Sequence, residues 1–244
     1  MIVMRLVAIL GSPRLQGNTA LLLREVLAGA KEAFASLPAS GPIREMVYPG
    51  AGGAGVQEGP AEPDGSEVKA AAAEGGEELE IEVYQVNRMK IKPCQGCNRC
   101  AETGHCIYHD DMDRIFRAAE ILDGLILASP TYFYSLSAQT KAAIDRFQSF
   151  WARKYVLKQP MPDPAKRPGV FLSTAGLPFR PEIFEPSRAV ARVFFRLNGV
   201  AYQEELLVCE TDKVPVQKND EARKRAREAG RALIRSWAAA RAGS

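Results

Sequence analysis

The chain has 244 residues, a hydrophobic fraction of 46% and a net charge of +3, enough apolar mass for one large domain or two small ones. No apolar run approaches the roughly 20 residues of a membrane span, and the start, Met1-Ile2-Val3-Met4-Arg5, has no signal-peptide pattern, so no membrane association and a cytoplasmic location are expected. The densest basic stretch, Arg223-Lys224-Arg225-Ala226-Arg227, is flanked by Glu221 and Glu228 and has no interleaved aromatics. It reads as the solvated face of a helix and argues against a nucleic-acid partner.

Residues 4–10 are apolar at almost every position, the pattern of a central parallel strand buried on both faces. A turn, Gly11-Ser12-Pro13-Arg14, leads through Gly17-Asn18-Thr19 into a helix predicted from Thr19 to about Phe34. Pro, Gly, Ala, Ser and Glu dominate residues 36–79, and such a stretch cannot bury enough apolar area to offset its ordering entropy. It is expected to be a flexible insertion within one domain. Period-two alternation over 79–86 then predicts a strand at a sheet edge. A cysteine run occupies 94–106, and Asp110 and Asp111 open a short helix with a carboxylate placed for its N-cap. A strand is expected over 124–128, a helix over 137–151, a strand over 169–173, a helix over 185–197, a strand over 202–208 and an amphipathic helix from Asp220 onward. Strands alternating with helices imply an α/β fold, a doubly wound five-stranded parallel sheet with helices on both faces.

Four of the five cysteines fall in Cys94-Gln-Gly-Cys97-Asn-Arg-Cys100-Ala-Glu-Thr-Gly-His-Cys106, and Cys209 stands apart. A disulfide framework would scatter its cysteines along the chain. Three thiols at i, i+3 and i+6 with a fourth six residues on concentrate soft anionic ligands in one loop. That suits an iron–sulfur cube, whose bacterial ferredoxin ligands begin with the same C-x₂-C-x₂-C spacing. Zinc more often uses two separated knuckles, and unliganded reduced thiols are the third reading. His105 and His109 flank the run as surface residues or as hydrogen-bond donors to it.

Ligands of a doubly wound sheet bind beyond the carboxyl ends of the strands, at the topological switch point. Three loops there are equipped for one. Residues 11–19 supply hydroxyls at Ser12 and Thr19, the Asn18 amide, the Arg14 guanidinium and helix N-terminal amides, an anion site for a terminal phosphate. The loop is neither G-x-G-x-x-G nor a P-loop. Pro130-Thr131-Tyr132-Phe133-Tyr134 sets three adjacent aromatics at a strand end, suited to enclosing a planar ring. Ser173-Thr174-Ala175-Gly176 is small enough for close backbone approach to a ring edge.

The combination Gly-Ser-Pro-Arg…Gly-Asn-Thr with Ser-Pro-Thr-Tyr…Ser-Ala-Gln-Thr-Lys-Ala-Ala-Ile-Asp-Arg at 129–146 resembles the flavodoxin-like NAD(P)H-dependent FMN reductase superfamily. With Cys94, Cys97, Cys100 and Cys106 added, the chain is similar to its iron–sulfur flavoprotein branch. The resemblance covers nearly everything except 36–79, and it implies a flavodoxin-like fold with FMN and a [4Fe-4S] cluster as cofactors. It assigns Ser12, Arg14, Asn18 and Thr19 to the FMN phosphate and Pro130, Thr131, Tyr132 and Phe133 to the isoalloxazine. Thr174 and Gly176 go to the far edge of that ring, and the four cysteines to iron. It also implies a homodimer or homotetramer, with NAD(P)H or a ferredoxin-type protein as electron donor and a small-molecule acceptor. No catalytic acid or base is needed, because the chemistry is the cofactors'. Two other readings stand beside it: an NAD(P)H-dependent FMN or quinone reductase without a cluster, and a thiol or zinc redox sensor.

Overall fold

The computed structural model describes residues 2–49, 76–159 and 167–242. In chain order the elements are β1 (Ile2–Leu10), α1 (Asn18–Ala35), β2 (Ser40–Tyr48), β3 (Glu77–Gln85), α2 (Cys100–Thr103), α3 (Met112–Ile121), β4 (Gly124–Tyr132), β5 (Ser135–Leu136), α4 (Ala138–Arg146), α5 (Gln148–Trp151), β6 (Pro168–Thr174), α6 (Glu185–Leu197), β7 (Ala201–Val208) and α7 (Asp220–Ala242). A π-helical turn, Ala152–Val156, continues α5.

Six strands pair in the order β2-β3-β1-β4-β6-β7, and the two-residue β5 pairs with β4, giving seven strands where five were expected. All pairs along the six-strand path are parallel. The five expected strands are present in the doubly wound order, with the switch point between β1 and β4.

Alternate residues of the central strands serve opposite faces, as a pleat with helices on both sides requires. Met4, Leu6 and Ala8 pack with Ile126 and Leu172 against Leu22 and Val26 of α1 and Leu233 and Trp237 of α7. Val7 and Ile9 pack with Leu125, Leu127 and Phe171 against Ile115 of α3, Ala143 of α4 and Phe194 of α6. Each fully buried Val, Leu, Ile, Met or Phe among them contributes on the order of 1.5–3 kcal/mol by area.

Two expectations for the segment after α1 are corrected. Ser40–Tyr48 is a strand, so the expected insertion over 36–79 holds neither there nor at 77–79, which belong to β3. Residues 50–75 of that stretch lie outside the described residues. The strand predicted for the edge, β3, lies between β2 and β1, and β2 takes the edge. Pro42 is tolerated there because an edge strand has backbone donors to spare, and the pairing with β3 shifts register between Ser40 and Ile43. At its far end Tyr48 stacks on Tyr84 of β3, with ring centroids 4.9 Å apart and planes at 15°. The pair fastens an otherwise polar strand by about 0.5–1.5 kcal/mol.

Candidate functional site: three strand-end loops and a cysteine cavity joined by one helix

Because the long strands are parallel, the loops after β1, β3, β4 and β6 all leave the same edge of the sheet. A set of buried hydroxyls ties the loops after β1, β4 and β6 together. Ser137 caps α4, accepting from Thr140 N at 3.3 Å and donating to the Gly11 carbonyl at 2.9 Å. Thr140 Oγ1 lies 2.8 Å from Ser137 Oγ and donates to Ser129 Oγ at 3.3 Å. Ser173 Oγ donates to the Ser129 carbonyl at 2.9 Å and meets Thr131 Oγ1 at 2.8 Å. Thr19 and Thr174 share a buried hydrogen bond of 2.7 Å. The loops after β1, β4 and β6 are thus fixed by side chains that need no ligand to hold them. Gly11 belongs to this packing, since a Cβ there would overlap Thr140 Oγ1.

The residues expected at the phosphate divide into two groups. Ser12 is buried, and its Oγ accepts from Arg14 N at 3.2 Å, shaping the turn before α1. Arg14 is exposed, and its guanidinium has no partner among the described residues. Helix α1 starts with neither a side-chain cap nor an acidic residue in its first turn, so its orphan amides and positive dipole end stay available to an anion. Asn18 faces another way: its Oδ1 accepts from Val216 N at 2.9 Å and its Nδ2 donates to the Thr211 carbonyl at 3.4 Å. With Thr19 Oγ1 bonded to Thr174, these two polar side chains hold the scaffold under the loop.

Pro130 is buried at the end of β4 and Thr131 is half-buried, whereas Tyr132 and Tyr134 are exposed and Phe133 fully so. Phe133 and Tyr134 form the two-residue turn between β4 and β5, with φ of 48° and 63°. Two successive left-handed residues make a type I′ turn, which favours Asn-Gly. Placing two aromatics there costs on the order of 1–3 kcal/mol each, and it holds large apolar rings outward at the sheet's carboxyl edge. Gly176 backs directly onto the Asp212 carboxylate, leaving no room for a side chain.

The cysteine loop follows β3. Gly96, Asn98 and Gly104 take left-handed backbone, with φ of 64°, 58° and 76°, curling the chain back on itself. Cys94, Cys97, Cys100 and Cys106 all line one cavity of about 330 Å³, walled by Tyr108, Arg146 and Trp151. Burial raises the Cys100 thiol above its ordinary value, and the neighbouring Cys94, Cys106 and Cys97 push it further the same way. Among the described residues no three His, Cys, Asp or Glu side chains converge as they would on a single metal ion. Four thiols around a cavity of this size suit a bulkier group, whose charge would relieve their mutual repulsion. His105 and His109 are exposed, the latter 3.2 Å from Asp113.

Three residues assigned no role in the site from sequence fasten this loop. Arg146, at the end of α4, is buried, and each of its three guanidinium nitrogens donates inward. Its Nη1 donates to Asp110 at 2.6 Å and to the Lys92 carbonyl at 2.8 Å, its Nη2 to the Tyr108 carbonyl at 3.1 Å, and its Nε to Cys106 Sγ at 3.3 Å. Asp110 also accepts from Lys92 N at 2.9 Å and Met112 N at 3.1 Å. Burial alone would raise the Asp110 carboxyl, but these donors hold it below the usual carboxylate range. Arg153, in the π-helical turn, donates to the Gly104 carbonyl at 3.0 Å. The one hint in the sequence is that Arg146 lies between the apolar Ala143, Ile144 and Phe147.

The model of the NADPH-dependent FMN reductase family matches residues 65–180. The chain is 33% identical over 143 residues to an iron–sulfur flavoprotein of Methanocaldococcus jannaschii, covering 59% of this chain and 51% of the relative. It is 40% identical over 75 residues to an iron–sulfur flavoprotein of Archaeoglobus fulgidus, covering 31% of this chain and 34% of the relative. Each match therefore spans about half or less of the relative's own length. In three dimensions the chain resembles an FMN-dependent NADH-azoreductase of Bacillus anthracis crystallised with FMN, with a TM-score of 0.59, 10% identity and coverage of 94% and 99% of the two chains. At that identity the likeness speaks for the fold. By the family match over residues 65–180 and by these relatives, the chain is similar to the NADPH-dependent FMN reductases and, among them, to the iron–sulfur flavoproteins, and its fold is the flavodoxin-like one of its structural neighbours.

Proposed function

We propose that the protein is a flavin-dependent oxidoreductase that holds FMN in the loops after β1, β4 and β6 and a [4Fe-4S] cluster in the cysteine cavity. When bound, FMN supplies two-electron or one-electron chemistry and the cluster transfers one electron at a time. The chain's part is to bind and space the two sites. The observation that carries this reading is helix α4. Its first turn sits under the flavin loops through Ser137 and Thr140, and its last residue, Arg146, reaches Cys106. Six residues separate Thr140 from Arg146, about 9 Å of helical rise.

In this reading Ser12, Arg14 and the α1 amides take the phosphate, while Asn18 and Thr19 support the loop from behind. Pro130, Thr131, Tyr132 and Phe133 line the ring, and Thr174 and Gly176 border its far edge. Cys94, Cys97, Cys100 and Cys106 are the four iron ligands. Electrons enter from NAD(P)H or a ferredoxin-type protein and leave to a small-molecule acceptor. Self-association is supported by an apolar groove of about 360 Å³ between α4–α5 and α6, where Trp151 and Val193 are exposed.

Cys97→Ser tests the cluster. Cys97 lies outside the hydroxyl set that fixes the flavin loops, so FMN content and fold should match wild type. Iron should be lost, and with it one-electron exchange with a ferredoxin-type protein, while hydride uptake from a nicotinamide persists. Unchanged iron content, or the absence of iron from both proteins, refutes the assignment. The second outcome would favour a plain flavin reductase.

A further inference from the structure

We infer that Arg146 is a positioning residue that orients Cys106 and, through that sulfur, sets the reduction potential of the cluster; the inference rests on the four-cysteine reading above. Arg146 contributes one fixed positive charge to a buried position, and four of its contacts leave it no freedom to turn. Asp110, the Lys92 carbonyl and the Tyr108 carbonyl accept from the two terminal nitrogens, and the third nitrogen, Nε, points at Cys106 Sγ. Tyr108 and Phe116 close over the guanidinium, with ring centroids 5.3 and 6.0 Å away, and screen it from water. Among the described residues, no side-chain donor but Arg146 meets any of the four cavity sulfurs. Cys106 is thereby distinguished from Cys94, Cys97 and Cys100.

A cluster takes up one electron without a proton, and the added negative charge spreads onto its thiolate ligands. A cationic donor on one of those sulfurs stabilises the reduced form and raises the potential. Asp110 opposes it, because its carboxylate neutralises much of the guanidinium at 2.6 Å. The two residues should therefore move the potential in opposite directions. A clamp that merely held the loop closed would make them act alike.

The experiment compares anaerobically prepared wild type, Arg146→Gln, Arg146→Lys and Asp110→Asn, with iron, sulfide and FMN counted and the cluster potential measured by spectroelectrochemical titration. Arg146→Gln should shift the potential negative, Arg146→Lys should recover part of that shift, and Asp110→Asn should shift it positive. If both Arg146 variants emerge without iron, the sign of the Asp110→Asn shift decides, and a positive shift supports the inference. A loaded Arg146→Gln protein with the wild-type potential overturns it, as do shifts of the same sign in Arg146→Gln and Asp110→Asn. Loss of iron from all three variants reduces Arg146 to a loop clamp and overturns it too. Absence of iron from wild type overturns the cluster reading itself, and this inference with it.

Discussion

Arg14→Ala removes the one side-chain charge assigned to the FMN phosphate, and the structure allows its effect to be separated from folding. The guanidinium is exposed and has no partner among the described residues, so truncation should change stability by no more than about 0.5 kcal/mol. The turn itself is held by Ser12 Oγ and by Gly17 N donating to the Arg14 carbonyl at 3.0 Å, contacts that alanine retains. A charge-assisted hydrogen bond contributes about 1.5–3 kcal/mol, and a decade of affinity corresponds to about 1.4 kcal/mol. FMN affinity should therefore fall roughly 10- to 100-fold. Fluorescence titration of the apoprotein measures it, and raising the salt concentration should narrow the gap between variant and wild type because the site is exposed. Wild-type affinity in Arg14→Ala would show that the phosphate is held elsewhere. A large drop in thermal midpoint would show that Arg14 is structural.

Other consequences follow from the same geometry. Thr140→Val leaves the hydroxyls of Ser129 and Ser137 short of a buried partner, and should cost about 1–3 kcal/mol in denaturant unfolding together with weaker FMN binding; binding unaffected by that loss would show that the hydroxyl set does not pre-form the site. Burial alone would raise the Glu205 carboxyl, but hydrogen bonds from Arg188 and Tyr202 hold it below its ordinary value. Because the folded-state value is depressed, this contribution is complete above the unfolded value of about 4.3 and disappears as pH falls through the folded one. Stability should thus drop more steeply below about pH 4 in wild type than in Glu205→Gln, and parallel curves would contradict the assignment. Val193→Glu places a charge in the groove between α4–α5 and α6, and should lower the mass seen by light scattering if that groove joins subunits.

Much of the fold was legible because its signals are local. The apolar runs of β1, β4 and β6 and the 3.6-residue period of α6 and α7 need no distant information. Strand β2 was hidden because its sequence, SGPIREMVY, carries Gly and Pro near its start and polar residues on its open side, and because low-complexity sequence follows it. Its pairing depends on β3, a partner about 36 residues away. The turn at Phe133-Tyr134 carries no turn signal, since its backbone is set by the flanking strand pairing against the preference of both residues. The cysteines announced themselves by spacing. Arg146 could not, because a basic residue on a helix usually reads as solvated, and its burial follows from tertiary contacts to Asp110 and Cys106. Asn18 matched a phosphate loop in type, but the Thr211–Val216 segment claims its amide.

The most direct test of a paired flavin and cluster is the count of iron, acid-labile sulfide and FMN per chain after strictly anaerobic purification. Four irons, four sulfides and one FMN per chain are expected, with iron falling and FMN unchanged in Cys97→Ser. A wild-type chain carrying one FMN and no iron, even after reconstitution, would contradict the pairing and leave a flavin reductase whose four loop cysteines are free thiols.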